Sequence, residues 1–456
     1  MKLAKNQIVL GKTLLLPELD PGVGQEMDWL LRLASTTNNK RMALYEEWEA
    51  QSPFVAQFGD DQARPLSQYL MDVFYQGRVP ELLAALERLL MLDIQPTLAE
   101  FASLTLELLK KPRSLSRTEL EIVRILHEDP TTPSIKIART IDKHRQTVAN
   151  YIKQLYFGLQ IQSYPLIDYH ALGLRRVQIW FRGSTEIPES VYFYSRLALT
   201  GKDERWLVDT WSVPPGTEGL LLERYQNLER VRRIHDLAIR EILSFGKHLS
   251  LSTYEESRGW RSDPEVVKLA YKRALEGQAS FIPRLLEVMP YGKSQAFKLD
   301  GIDIGIIETL WKDYLLGQTR EAAAIRLGIS RSSFSRRLQR LESKNVIKPS
   351  LWLKTDNMVQ TALTIPVPET QILNALLCLP VVYFYLNEAK ESGEREWFVV
   401  AKSSPAVADV FANAQIDDNN GLRAYNVHVV GQQSGIRLFG AYNKKTKAWD
   451  QEAIGS

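Results

Sequence analysis

A single cysteine in 456 residues excludes an internal disulfide framework. Cys378 sits in the apolar stretch from Ile372 to Leu379 and reads as a small buried hydrophobe in a reducing compartment, so the chain is expected to be cytoplasmic. The six histidines are scattered, with no pair at metal-ligand spacing, which argues against a histidine-built metal site. No run of about 20 apolar residues is present to span a bilayer. From Met1 to Gly11 there is no basic stretch followed by an apolar core and a small-residue cleavage site, so no secretory leader is expected. No catalytic or nucleotide-binding motif stands out in the opening region, and neither a cofactor nor an enzymatic role is expected.

What is present is ordinary in bulk. Hydrophobic residues make up 45% and charged residues 24%, enough to bury real cores. The length predicts three or four domains rather than one. A net charge of +3 neither demands nor excludes a nucleic-acid partner. The placement of the basic residues matters more than their number.

The chain repeats itself. Glu119–Asp129 (ELEIVRILHED) resembles Asp303–Asp313 (DIGIIETLWKD), 184 residues on, with apolar residues at helical spacing and a closing acid in both. Ala138–Leu155 resembles Ala324–Leu341 at an offset of 186, which places two extra residues in the second copy after its first helix. Arg205–Pro214 (RWLVDTWSVP) resembles Glu396–Pro405 (EWFVVAKSSP). Three segments in the same order at a near-constant offset mark a duplicated unit.

Each copy predicts three helices followed by a β-α-β-β-α-β series, the ferredoxin-like order. In the first copy the helices are Thr118–Glu128, Ser134–Thr140 and Arg145–Phe157, with a wing at Leu159–Pro165. Strand Val177–Phe181, helix Pro188–Leu197, strands Leu199–Gly201 and Trp206–Val213, helix Glu218–Val231 and a strand near Ile242–Leu251 follow. The second copy predicts strands Thr361–Val367, Val381–Asn387, Glu396–Ala401 and Ala424–Val430, with helices near Glu369–Leu377 and Pro405–Ala414. Between the copies, Asp263–Gly277 and Ile282–Met289 read as helices. The opening region predicts amphipathic helices at Gly24–Ala34, Lys40–Trp48, Leu66–Tyr75, Pro80–Met91 and Thr97–Leu109.

The expected class is therefore α+β: two winged helix-turn-helix domains, each followed by a ferredoxin-like βαββαβ domain, plus an N-terminal all-α region. In numbers, 1–112 is a helical region and 113–170 the first winged helix-turn-helix, followed by its α/β partner at 171–255. A helical linker at 256–298 leads to the second winged helix-turn-helix at 299–358 and its α/β partner at 359–435. Residues 436–456 read as a tail whose short basic run, Asn443 to Lys447, is taken as solvated.

The second copy carries the sharpest local signal. Thr319 can cap one helix, Gly328 supplies a conformationally free turn residue, Ile329 can plug the core and Ser330 can cap the next helix. Phe334, Leu338 and Leu341 form one buried stripe; Ser332, Arg336 and Gln339 then point the opposite way, flanked by Arg331, Ser335 and Arg340. Such a helix suits a DNA major groove. In the first copy Asp142 replaces the turn glycine, Lys143 the plug and His144 the cap; Val148, Ile152 and Leu155 keep the stripe. The outward face becomes Gln146, Asn150 and Lys153, flanked by Arg145. Asn150 corresponds to Arg336, and because Asn suits adenine and Arg guanine, the two faces predict an asymmetric pair of half-sites.

These residues resemble the Lrp/AsnC family of prokaryotic transcription regulators. The match is carried by Gly328 to Leu338, Arg340-Leu341-Glu342 and Asn345-Val346-Ile347. In the first copy it is carried by Ile122–Asp129, Ile137–Ala138, Thr147-Val148 and Ala171-Leu172-Gly173-Leu174. It covers about Arg117–Ser252 and Leu299–Gln432 and leaves the opening region unexplained.

The resemblance implies double-stranded DNA as partner, and either a homodimer or an intramolecular pairing of the two ferredoxin-like domains. It also implies a small-molecule effector turn, of which Gly201 and Asp203 are a partial match, with Trp206 and Trp397 read as core packing. Two rival readings follow. One is a winged-helix factor that binds the transcription machinery. The other is a tetrapyrrole-binding decarboxylase-like enzyme, for which His170, His235, His248 and His428 share no position between copies.

Overall fold

The computed structural model describes residues 16–35, 44, 47–48, 51–52, 70, 73–74, 78–110, 115–157, 161–163, 165–202, 204–256, 259–277, 287–291, 299–316, 320–353, 355, 358–414, 422–432, 436–443, 446 and 448–451. By contact density the chain divides into two units, one of residues 1–123 and 133–162, the other of residues 124–132 and 163–456.

The first unit is helical. It contains α1 (Pro21–Ser35), α2 (Val79–Met91), α3 (Leu98–Lys110), the start of α4 (Arg117–Glu128), α5 (Ser134–Thr140) and α6 (Arg145–Phe157). Leu and other apolar residues at helical spacing put Val23, Met27, Leu30 and Leu31 of α1 against Leu82, Leu83 and Leu86 of α2 and Phe101 of α3. Asp20 caps α1 by accepting the Gly22 N–H at 2.9 Å. The helices expected at Gly24–Ala34, Pro80–Met91 and Thr97–Leu109 correspond to α1, α2 and α3. Those expected at Lys40–Trp48 and Leu66–Tyr75 fall largely outside the described residues.

The second unit is built on strands. In chain order they are β1 (Leu166–Ile167), β2 (Arg175–Gly183), β3 (Phe193–Thr200), β4 (Arg205–Val213), then α7 (Glu218–Arg230) and β5 (Ile234–Leu249). Next come α8 (Pro264–Leu275), β6 (Glu287–Pro290), α9 (Gly301–Leu316), α10 (Arg320–Arg326) and α11 (Arg331–Ser343). These are followed by β7 (Ile347–Lys348), β8 (Val359–Pro366), a helical turn from Val367 to Leu376, β9 (Val381–Ala389), β10 (Arg395–Ser403), α12 (Pro405–Ala414) and β11 (Arg423–Gln432), among shorter elements.

Within each copy the four long strands are antiparallel with the first and third central: β5-β2-β4-β3 in one, β11-β8-β10-β9 in the other. The last strand of each copy then pairs with the second strand of the other. Thus β5 pairs with β9 from Val381↔Leu249 to Ala389↔Arg240, and β11 pairs with β3 from Asn426↔Thr200 to Gln432↔Ser195. The eight strands close on themselves into a ring, with β6 added along the far stretch of β5.

Side chains alternate across this ring. On β2, Val177, Ile179 and Phe181 join Leu221 and Tyr225 of α7 in one core. On β8 and β10, Leu363, Ile365, Val399 and Ala401 join Val267 and Tyr271 of α8 and Val407 and Phe411 of α12 in another. Trp180, by contrast, belongs to a third cluster with Leu199, Val208, Ala362, Phe398, Val400, Tyr425 and Val427, drawn from both copies. Beneath α7 lies a buried ion pair: Arg196 grips Asp209 through Nε at 2.6 Å and Nη2 at 2.7 Å. Tyr225 donates to the same carboxylate, and Trp211 Nε1 donates to the Tyr225 hydroxyl at 3.2 Å.

Five expectations are corrected. Residues 184–190 are irregular and β3 begins at Phe193, so the helix expected at Pro188–Leu197 is absent and the strand expected at Leu199–Gly201 begins six residues earlier. Aromatic Tyr192 and Phe193 pack against Trp211 in the core, and ring closure requires a strand here. The last strand of the first copy starts at Ile234 rather than near Ile242, because it serves β2 with its first half and β9 with its second. Glu287–Met289, expected as the end of a helix, pairs with β5 as part of β6. Finally, residues 436–450 hold a short helix (Ile436–Gly440) and a hairpin, Tyr442–Asn443 with Ala448–Trp449, rather than a free tail. Trp449 Nε1 donates to the Leu172 carbonyl at 2.7 Å.

Candidate nucleic-acid interface

The helix pair α10–α11 of the second unit is set by its turn. Gly328 adopts φ 65°, in the left-handed region where a Cβ is costly, and nothing lies near enough to obstruct the turn. The Ile329 N–H donates to the Ala324 carbonyl at 3.1 Å, closing the first helix. Ser330 then caps α11: its Oγ accepts the Ser333 N–H at 3.1 Å. Phe334, Leu338 and Leu341 are buried, locking the rotation of α11. That rotation leaves Arg331, Ser332, Ser335, Arg336 and Gln339 exposed along one face.

Not all of the arginines on this helix are free to bind. Arg337 Nη1 donates to Asp300 at 2.8 Å and to Asp303 at 2.9 Å, and Arg340 Nη2 donates to Asp303 at 2.6 Å. Asp303 is fully buried, so both guanidiniums anchor α11 to the start of α9. Arg340, expected as a DNA contact, therefore has an intramolecular carboxylate partner, although its side chain is still 47% exposed. Arg331 and Arg336 have no carboxylate partner among the described residues. Burial pushes the Asp300 carboxyl up, but the Asp303 backbone N–H and the Arg337 guanidinium outweigh it and hold the group below its ordinary value. The hydrogen bond to Asp300 in turn raises Arg337.

The anchor was not read from the sequence, yet a signal exists. Asp300 accepts the Asp303 N–H at 2.9 Å while Asp303 accepts the Asp300 N–H at 3.2 Å, a reciprocal cap at the start of α9. At the equivalent place in the first unit, Ser116 and Glu119 form the same box, with the Ser116 N–H donating to Glu119 at 2.9 Å. The positions equivalent to Arg337 and Arg340 there are Tyr151 and Gln154.

The first unit repeats the turn. Asp142 takes φ 49°, and the Lys143 N–H donates to the Ala138 carbonyl at 2.9 Å, the counterpart of the Ile329 bond. His144 caps in place of serine, its Nδ1 accepting the Gln146 N–H at 3.3 Å. Val148 and Leu155 are buried, while Arg145, Gln146, Asn150 and Lys153 are exposed. Gln146 Nε2 donates to Asn150 Oδ1 at 3.2 Å, which sets two side-chain amides next to each other one helical turn apart. Thr319 lies outside the described residues.

The expected effector turn is only partly described, since Asp203 lies outside the described residues. Gly201 donates its N–H to the Glu204 carbonyl at 2.8 Å, and a Cβ there would come within 3.2 Å of the Tyr425 ring. Glu204 accepts from Tyr425 Oη at 2.7 Å, Trp206 Nε1 at 3.0 Å and Arg182 at 3.0 Å. Burial raises its pKa, but these donors outweigh burial and lower it. Trp206 also packs its ring against Trp180 and beneath Arg182. Trp397 packs against the core of the second copy. Among the described residues, no group of His, Cys, Asp and Glu is placed to hold a metal ion, and no helix is long and apolar enough to cross a membrane.

No family model matches the chain, and no curated protein matches it. Among solved structures, the chain is similar to the siroheme decarboxylase NirDL, determined with an iron-uroporphyrin III analogue. The identity is 14% and the TM-score 0.40, covering 74% of this chain and 99% of that one. It is also similar to PH0061 at 17% identity and a TM-score of 0.21, over 29% of this chain and 94% of that one.

Proposed function

We propose that the chain is a sequence-specific, double-stranded DNA-binding transcription regulator that reads DNA with two non-identical winged helix-turn-helix units. In this reading α10–α11 and α5–α6 are the two helix-turn-helix pairs, and the eight-stranded ring is a pair of ferredoxin-like domains joined within one chain. The first of these lacks the helix of its first crossover. The chain acts by binding rather than by catalysis and needs no cofactor.

One observation carries the proposal. A capped, rotationally locked helix exposes Ser332, Ser335, Arg336 and Gln339 on one face, while Arg337 and Arg340 are tied to buried acid. Small hydroxyls near a helix N-terminus, followed by a free Arg and Gln one turn on, match the donors and acceptors of a major-groove edge. Arg331, Arg145 and Lys153 are placed for phosphates, and Asn150 and Gln146 supply a second, different reading face.

Selection of random duplexes by the full chain tests this. The expected winner is two dissimilar half-sites, with Arg336→Ala and Asn150→Ala each relaxing one position. Affinity should fall steeply with salt, about 0.9 logarithmic units per tenfold salt for each phosphate contact. No enrichment, or capture of a perfect palindrome insensitive to both substitutions, overturns the reading.

A further inference from the structure

The interior of the strand ring holds a buried cation, Arg176, for which the described residues provide no carboxylate. All eight strands contribute to the lining, with Ala238 of β5 and Tyr383 and Tyr385 of β9 joining the shared apolar cluster. A ring of eight strands is about wide enough to be filled by side chains or to hold one small ligand. Arg176, on the same face of β2 as Trp180, lies toward one end and is 5% exposed. Its guanidinium carbon lies 4.7 Å from the centre of the Tyr169 ring and 4.6 Å from that of Tyr194. Nη1 reaches the Tyr291 hydroxyl at 3.4 Å, whereas the buried Nε has no hydrogen-bond partner among the described residues. Among the described residues Arg176 has no carboxylate partner. Its register partner on β4, Ser212, is 2% exposed, and its Oγ is likewise buried without a partner.

Leaving a charge unpaired in a protein interior is costly, and two unmet polar groups facing each other across one strand pair call for a shared partner. The neighbouring phenols cannot serve. Burial pushes Tyr169, Tyr291 and Tyr385 up, so they stay neutral. There is also room. Tyr383 and Tyr385, on the same face of β9, are only partly buried, so part of each ring stays accessible. Lys247, a second buried cation near Tyr383, instead donates to Ser350 Oγ at 2.7 Å and to the Leu351 carbonyl.

We propose that Arg176 and Ser212 form the anion-receiving end of a ligand site inside the strand ring, and that its ligand is a small aromatic carboxylate. With phenol rings against the guanidinium, its N–H edge is the part left to bind, and that edge matches a carboxylate. Tyr383 and Tyr385 present apolar ring surface for a flat body. The site is separate from the turn at Gly201 and does not depend on DNA binding.

Calorimetric titration of the full chain with acetate, benzoate, phenylacetate, indole-3-acetate and uncharged benzyl alcohol tests the proposal. At least one aromatic acid should bind, with acetate and benzyl alcohol at least roughly tenfold weaker. Arg176→Met should lower affinity by roughly ten- to a hundredfold, with Arg176→Lys intermediate and Ser212→Ala weaker by about threefold. The ligand-free Arg176→Met protein should melt no lower than wild type, because it removes a buried charge for which the described residues offer no carboxylate; a guanidinium that only braces the fold would lower the melting temperature. The proposal is overturned if no acid in the panel binds below about 10 mM, or if Arg176→Met and Arg176→Lys bind as wild type does. A melting temperature that drops in Arg176→Met overturns it too.

Discussion

Arg336 and Arg337 are neighbours on one helix, and their substitution separates contact with DNA from the architecture that presents it. Arg336 is exposed with no described ion pair, so Arg336→Ala should change stability by no more than about 0.5 kcal/mol. If it reads a guanine edge, the same change should weaken binding to the selected duplex by about 1–3 kcal/mol, roughly 5- to 150-fold, and relax preference at one base pair. Arg337 is 25% exposed and pairs with the fully buried Asp303. Removing one partner of a buried pair costs about 3–5 kcal/mol when the other is stranded. Here Arg340 still reaches Asp303 at 2.6 Å, so Arg337→Ala should cost less, about 1–3 kcal/mol. Urea melts report the stabilities, and fluorescence anisotropy on the selected duplex at two salt concentrations reports binding. The reasoning fails if Arg336→Ala binds with unchanged affinity and preference, or if it destabilises the protein as much as Arg337→Ala.

Three further outcomes are expected. Gly328→Val should destabilise by about 1–2 kcal/mol through the left-handed φ of 65°, while Gly328→Asn should be nearly neutral, compared by thermal melting. Asp209→Ala strands the buried Arg196 and should cost about 3–5 kcal/mol, whereas the paired change Arg196→Met with Asp209→Leu should recover most of it, read from urea midpoints. The Asp300 carboxyl is held below its ordinary value in the folded state, so its contribution is full above the unfolded value of about 3.9 and is lost as the pH falls through the folded value. Wild type should therefore lose more stability between about pH 5 and pH 3 than Asp300→Asn does, measured by urea melts at both pH values.

What could be read from the chain was local. The boundaries of α5 and α6 fall where periodicity and capping residues place them, and the exchange of Gly328 for Asp142 was readable because each residue tolerates a positive φ at modest cost. What escaped depended on distant partners. The stretch Pro188–Leu197 reads as helix until β11 arrives beside β3, more than 200 residues later. The strand expected only near Ile242 begins at Ile234, because Ile234–Glu241 pairs with β2 before β9 takes over from Arg240. Arg340 looked like a contact residue because nothing near it in sequence reveals that Asp303 lies within 2.6 Å. Arg176 was passed over for the opposite reason: a missing counter-ion leaves no trace in a sequence.

The way β5 meets β9 and β11 meets β3 has a consequence for how this molecule can change. In a dimer of identical chains, every substitution is suffered twice, once on each side of the axis. Here the two sides are encoded separately, so a mutation can reshape one seam and leave its counterpart untouched. Glycine can stay at one turn while aspartate settles in the other, and a lone arginine can be planted inside without a twin to repel it.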